Sequence, residues 1–234
     1  MKPYYADETV TLYHGDSRDV LPLLGPADVV ITDPPYSSGR SEAEFAATGN
    51  IAVILHEASR IAPVMLVFGT SSGRGVEFVR SSIRVLPHNR VLAWHRTFAN
   101  SPAAGPWRWD LVLIHVFGKG SFGRPLASSL MITGETRALA RETGHKSPVP
   151  IGVMSWLYDP FAPGVVVDPF AGSGSLLLAA RRAGGKAIGI EADEQYCEIA
   201  ANRLQQLTLT EVAPQAACPG QARAGSPETD RRLP

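Results

Sequence analysis

Cysteine is scarce in this sequence, with only Cys197 and Cys218 among 234 residues. Two cysteines make no disulfide framework, which excludes the small secreted scaffolds that depend on one. No apolar run is long enough to span a bilayer, so no membrane partner is expected. Met1 to Glu8 lacks the apolar segment of a secretory signal, and a reducing cytoplasm is the expected compartment. His14, His56, His88, His95 and His115 show no ligand spacing, so they read as structural residues and no metal is expected. Lysine is rare too, at four of the 22 basic residues, and the formal net charge is zero. A uniformly basic nucleic-acid-binding surface is therefore excluded.

Charge is nevertheless unevenly placed. Residues 74–146 hold eleven Arg and Lys against four acids, so the rest of the chain is correspondingly acidic. A basic middle on an acidic frame suits a phosphate-tracking surface. Individual residues in it, including Arg108 between Trp107 and Trp109, are as well explained by solvated faces or core packing. With 44% hydrophobic residues, the length suffices for one large α/β domain or two small ones.

Short runs of β-branched and apolar residues alternate with helical periodicity. Strands are expected at Thr9–Tyr13, Asp28–Asp33, Val64–Phe68, Arg90–Arg96, Leu111–Phe117, Val165–Val167 and Lys186–Ile190. Helices are expected at Arg18–Leu24, 42–61, Arg74–Val85, Ile151–Phe161, Leu176–Ala183 and from Asp193 to about Leu207. The alternation predicts a mostly parallel sheet, with 90–96 and 111–117 as an antiparallel pair. Residues 37–41 read as a loop beside the site, 118–149 lose periodicity, and 211–234 have the composition of a disordered tail.

Ligands of such sheets bind at the carboxyl ends of the strands. Asp16, Asp33, Asp168 and Glu191 all fall at those ends, which predicts four acids on one rim. Asp33 opens Asp33-Pro34-Pro35-Tyr36. Consecutive prolines stiffen the backbone, and a rigid carbonyl, a carboxylate and a flat ring suit a flat substrate bearing an NH₂ group. Alone, such a tetrapeptide is as easily a turn after a strand. Asp168-Pro169-Phe170-Ala171-Gly172-Ser173-Gly174-Ser175 forms a strand, glycine loop and helix start. It lacks the Gly-Lys-Ser/Thr ending of a triphosphate-binding loop. An acid before the loop suits a cation, and helix-terminal N–H groups suit a carboxylate. An amino-acid zwitterion satisfies both, and Glu191, ending the next strand, is placed for ribose hydroxyls. S-adenosylmethionine (SAM) carries both ends.

Asp168 to Gly174 resembles the SAM-binding motif of DNA amino-methyltransferases, and Asp33 to Tyr36 resembles their catalytic motif. The catalytic motif comes first, an order that resembles the β group of this family. The resemblance spans roughly residues 9–207. It implies a Rossmann-like SAM-dependent methyltransferase fold with a seven-stranded, mostly parallel sheet. It further implies a single catalytic domain over 1–210, with a short target-recognition insertion near 118–144.

The implied chemistry is methylation of the exocyclic amine of a base flipped out of double-stranded DNA. Asp33 and the Pro34 carbonyl would accept hydrogen bonds from that amine, Pro35 would stiffen the motif, and Tyr36 would stack on the base. Asp168, Pro169, Phe170, Ala171, Gly172, Ser173 and Gly174 would hold SAM, with Glu191 on its ribose and Asp16 on its adenine. Capping of turns or helices is the plainer alternative for Asp16 and Glu191.

His145 and Pro150 match a further family segment that touches SAM, but Val149 stands where the family has lysine, beside Lys146 and Ser147. Trp94-His95-Arg96 resembles a family Trp-x-Lys near the target base, with arginine for lysine. The Asp-first tetrapeptide leans toward adenine N6, with cytosine N4 as the alternative. Methylation of RNA or of a protein amide, and a non-catalytic DNA-binding module, are more distant readings. The resemblance also admits a homodimer and a cognate restriction endonuclease.

Overall fold

The computed structural model describes residues 1–35, 42–69, 79, 83–84, 86–97, 111–120, 128–134 and 148–210. Among the described residues, nine strands form one sheet: β1 (Tyr5–Ala6), β2 (Val10–His14), β3 (Val29–Thr32), β4 (Val64–Gly69), β5 (His88–Arg96), β6 (Leu111–Gly118), β7 (Leu130–Thr133), β8 (Val165–Asp168) and β9 (Lys186–Glu191). Their spatial order is β1-β2-β9-β8-β3-β4-β6-β5-β7. The strands β2, β9, β8, β3 and β4 run parallel, so their carboxyl ends share one edge. The expected hairpin of β5 and β6 is present, and β6 inserts between β5 and β4, antiparallel to both.

Among the described residues the helices are α1 (Ser17–Val20), α2 (Glu42–Ile61), α3 (Ile151–Tyr158), α4 (Ser175–Arg182) and α5 (Glu194–Thr210). Strand periodicity divides the core between the two sheet faces. Val29, Ile31, Leu66, Phe68 and Val166 pack with α3, α4 and α5. Val30, Met65, Val67 and Val167 face the other way, onto Ile51, Leu55 and Ala58 of α2 together with Val79 and Ile83. A sheet covered on both sides explains why its central strands carry uninterrupted apolar runs.

The strand count corrects the expected seven to nine. The two additions lie at the sheet edges, where pairing rather than composition makes the strand. Tyr5 and Ala6 pair with Leu12 and Thr11, and Leu130 to Thr133 pair with Ala93 to Arg96. The second addition falls in the stretch expected to be irregular. Two expected helices also end differently. The first is one α-turn followed by a 3-10 turn at Leu21–Leu23. The helix from Ile151 becomes 3-10 at Asp159–Phe161, where Pro160 cannot extend it. The loop at 37–41, the tail at 211–234, Cys218, Trp107 to Trp109, and most of 74–85 and of 118–147 lie outside the described residues.

Gly118 ends β6 with φ +85°, and a Cβ built there would lie 2.0 Å from the Pro63 carbonyl oxygen. That neighbour is backbone and cannot rotate away. Gly118→Ala is therefore expected to cost more than about 2 kcal/mol. The urea midpoint, with an unchanged m-value, measures it. An unaltered midpoint would contradict the close approach of β6 to the start of β4.

Candidate active site

The parallel strands deliver the four acids as their order requires. Asp168 is the last residue of β8, Glu191 the last of β9, Asp33 follows β3 and Asp16 follows β2. Three of them, Asp16, Asp33 and Glu191, line a cleft of about 550 Å³ together with Pro34, Phe170 and Gly172. A smaller recess of about 60 Å³ opens where Asp33 and Asp168 meet Ser173 and Ser175. Asp33, Phe170 and Gly172 border both spaces. The motifs at 33–35 and 168–175, far apart in sequence, thus form one site. Tyr36 lies outside the described residues, as do His145, Lys146 and Ser147.

Asp168 is the most enclosed of the acids, at 3% exposed. Its Oδ1 accepts from Thr32 Oγ1 at 2.8 Å and from the Phe170 amide at 3.0 Å. Burial pushes its pKa up to about 7, against which these two hydrogen bonds act, while the charges of Asp33 and Glu191 push further upward. Asp33 has no such donor among the causes of its shift. Burial raises it to about 7, and the nearby Arg96 guanidinium pulls it back. Arg96 sits at the end of β5 with its guanidinium carbon 5.9 Å from the Trp94 ring centroid. Trp94 itself is buried and packs edge-on against Phe68, 6.4 Å between centroids. Of the Trp94-His95-Arg96 stretch, it is Arg96 whose charge acts on Asp33.

Glu191 and Asp16 both carry the capping roles that were the plainer alternative, and both also line the cleft. Glu191 Oε2 accepts from the Gly172 amide at 2.8 Å, and Oε1 accepts from the Asp193 amide at 2.9 Å. It therefore holds the glycine loop against the end of β9. Asp16 caps α1, accepting from the Arg18 amide at 2.8 Å and from the Arg18 guanidinium. These contacts with Arg18 hold the Asp16 carboxyl below its usual range. Each carboxylate has lone pairs beyond those used, so capping and ligand contact are compatible.

The glycine loop is also braced from outside. Gly172 and Gly174 have φ of +49° and +78°, values that side chains resist. A Cβ on Gly174 would come within 2.9 Å of the Ala200 Cβ on α5. Ser17 Oγ donates to the Pro169 carbonyl at 2.5 Å. Arg203, buried on α5, donates to the Ser173 carbonyl. Sequence reading had no signal for Ser17 or Arg203, because a buried arginine in a helix looks like any solvent-facing one. The cleft also includes Ile54 of α2 and Tyr196 of α5, unforeseen for the same reason. Cys197 lies beneath the site, its thiol donating to the Glu191 carbonyl, and burial raises its pKa to about 12.

The donor set can be tested against a cofactor. The larger cleft combines apolar and aromatic walls with carboxylates that accept from hydroxyls or amines, which fits a nucleoside. The recess sets two acids opposite two serines, which fits a zwitterion.

A family description, DNA methylase of the N6/N4 type, matches residues 160–202. The type II methyltransferase M.ScaI of Streptomyces caespitosus is 24% identical over 261 residues, covering 87% of this chain and 84% of the relative. The chain is thus similar, over residues 160–202, to DNA methylases of the N6/N4 type. Solved structures agree on the fold. M1.HpyAVI in complex with SAM superposes with a TM-score of 0.66 at 20% identity, covering 83% of this chain and 98% of that one. The cytosine-N4-specific PvuII DNA methyltransferase gives 0.67 at 17% identity, covering 90% and 93%. The expected fold class therefore holds, apart from the number of strands.

Raised carboxylates carry a defined pH signature. Between about pH 4 and pH 7, folded Asp33 and Asp168 keep protons that the unfolded chain has released. Their contribution to stability is thus fully present below the ordinary carboxylate range and lost as pH rises through about 7. Asp168→Asn keeps the Oδ1 acceptor without the charge. It is expected to match the parent near pH 4 and to be more stable at pH 8, by on the order of a few kcal/mol. Urea midpoints at the two pH values measure this, and a pH-independent difference would contradict it.

Proposed function

We propose that this chain transfers a methyl group from SAM to the exocyclic amine of a base in double-stranded DNA, and that the base is adenine, methylated at N6. The observation that carries the proposal is the meeting of Asp33 and Pro34 with Asp168, Phe170, Gly172 and Glu191 around a cleft and a recess that share Asp33, Phe170 and Gly172. In this reading Asp168 and the loop from Pro169 to Gly174 hold the amino-acid end of the donor. Glu191 accepts from its ribose, and Asp16 meets its adenine. The bound donor supplies a methyl group on a sulfonium sulfur.

The remaining chemistry belongs to Asp33 and Pro34. An exocyclic amine is a poor nucleophile because its lone pair is delocalised into the ring. The Asp33 carboxylate accepts one N–H and the Pro34 carbonyl accepts the other, drawing the nitrogen toward a tetrahedral shape in which the lone pair points outward. These contacts gain strength as positive charge develops on nitrogen. A carboxylate titrating near 7 can then take the proton that the amine sheds. Pro35 restricts the backbone so that both acceptors are in place before the base arrives. Tyr36 is assigned the stacking surface for the flipped base.

The adenine assignment rests on the Asp-first tetrapeptide, since Ser-first variants lean toward cytosine. Cytosine N4 is the second reading, favoured by the likeness to the PvuII enzyme. The proposal takes 1–210 as one catalytic domain with target recognition near 118–144 and 211–234 as a tail. A homodimer and a cognate restriction endonuclease are carried by the resemblance alone. Among the described residues, no helix is long and apolar enough to cross a membrane.

Incubation with labelled SAM and duplex DNA, followed by digestion to nucleosides, is expected to yield labelled N6-methyladenine. N4-methylcytosine would select the second reading, and label on RNA or protein alone would overturn both. Asp33→Ala should lower transfer by about 10³-fold while leaving SAM affinity nearly unchanged. Because Asp33 must be ionised to accept, the single-turnover rate is expected to rise between pH 6 and pH 8, with a midpoint about 7. A flat profile would remove Asp33 from the acceptor role.

A further inference from the structure

β7 closes one edge of the sheet, with β5 as its strand neighbour. Along that side the Ala93 amide donates to the Ser129 carbonyl at 3.0 Å and the Thr97 amide to the Thr133 carbonyl at 3.2 Å. A second attachment comes from α3. Trp156 Nε1 donates to the Ser128 carbonyl at 3.1 Å. Ser128 is itself fixed to the start of β7, its Oγ accepting from the Leu130 amide at 3.1 Å. One turn earlier on the same face of α3, Gly152 lies against Met131, and a Cβ built on it would be 4.0 Å from the Met131 methyl. Strand alternation turns Met131 toward α3 and leaves Leu130 and Ile132, 45% and 57% exposed, on the outer face.

The same helix also reaches the acids. Met154 of α3, with Pro148 and Val149 just before it, lines the 60 Å³ recess that Asp33 and Asp168 share. Val153, Met154 and Leu157 are buried in the core beneath the sheet. One helix of eight residues therefore touches β7 on one side and the recess on the other. A close-packed interior yields little, so a displacement of β7 passes through α3 to the recess wall. Trp156 itself borders neither the cleft nor the recess.

We propose that Trp156 is a positioning residue that ties β7 to α3, so that DNA held against β7 sets the recess wall of Val149 and Met154 beside Asp33. This rests on the reading of the site as a SAM site and of 118–144 as the segment that meets the target. DNA engaged by β7 then tightens the donor, and by linkage the donor tightens DNA by the same factor.

Calorimetry on the full chain tests it with sinefungin, a SAM analogue whose amine replaces the sulfonium, so that no methyl is transferred. It is titrated alone and in the presence of a duplex that accepted label in the methylation experiment. In the parent, sinefungin is expected to bind roughly tenfold tighter with the duplex present. Trp156→Phe loses the indole N–H and keeps a ring. It is expected to bind sinefungin alone within about twofold of the parent and to lose most of the gain from DNA. Met131→Ala, which removes the other contact between β7 and α3, should give the same selective loss. Retention of the full gain by Trp156→Phe, whether or not sinefungin alone binds more weakly, would overturn the assignment. Absence of any gain in the parent would do so too, and both outcomes leave the SAM reading intact. A parent chain that binds no sinefungin would overturn the SAM reading itself and this assignment with it.

Discussion

The hydrogen bond from Thr32 Oγ1 to Asp168 Oδ1 joins the carboxyl ends of β3 and β8, and the arrangement of the site depends on it. The two strands are parallel neighbours with Val30 opposite Val167. Continued by one residue, that register sets Ile31 beside Asp168, with Thr32 and Asp33 just beyond the end of β8. A carboxylate buried to this degree would be costly without donors, and Thr32 with the Phe170 amide provides them. The same contact thereby spaces Asp33 from Asp168 and directs the loop that begins at Pro169.

Around that contact the structure concentrates acidic side chains. Asp33 and Asp168 are both raised to about 7, and each is among the charges that the site must tolerate. Two cations lie near: the Arg96 charge lowers the Asp33 pKa, and Arg203 contacts Ser173 and Ser175. Such a site is poised for a ligand that brings positive charge with it, and the ammonium and sulfonium of SAM do so. The loop itself is held rigid by contacts unrelated to any ligand, from Ser17, Glu191, Ala200 and Arg203.

Much of this was legible in the residue order. Val29 to Thr32, Val165 to Val167 and Lys186 to Ile190 read as strands because a doubly covered sheet demands continuous apolar runs. Acids directly after such runs could be assigned to one rim, since parallel strands share a direction. The edge strands were not legible. Tyr5–Ala6 and Leu130–Thr133 are too short to show alternation, and they are strands only because β2 and β5 offer open edges. The insertion of β6 between β4 and β5 was likewise beyond reach, as a predicted hairpin does not say which partner faces the sheet.

The sequence by itself determined the chemistry available: a proline-stiffened acid at 33, a glycine loop after the acid at 168, and an acid at 191. Those choices are local, because φ/ψ restriction, strand propensity and the position of an acid after a strand need no distant contact. Tertiary structure alone decided how the groups act. It buried Asp168 and raised it, gave Asp16 to Arg18 as a helix cap, brought Arg96 toward Asp33, and set Arg203 behind Ser175. Burial, field and hydrogen-bond direction are properties of surroundings, and surroundings exist only once the chain has folded.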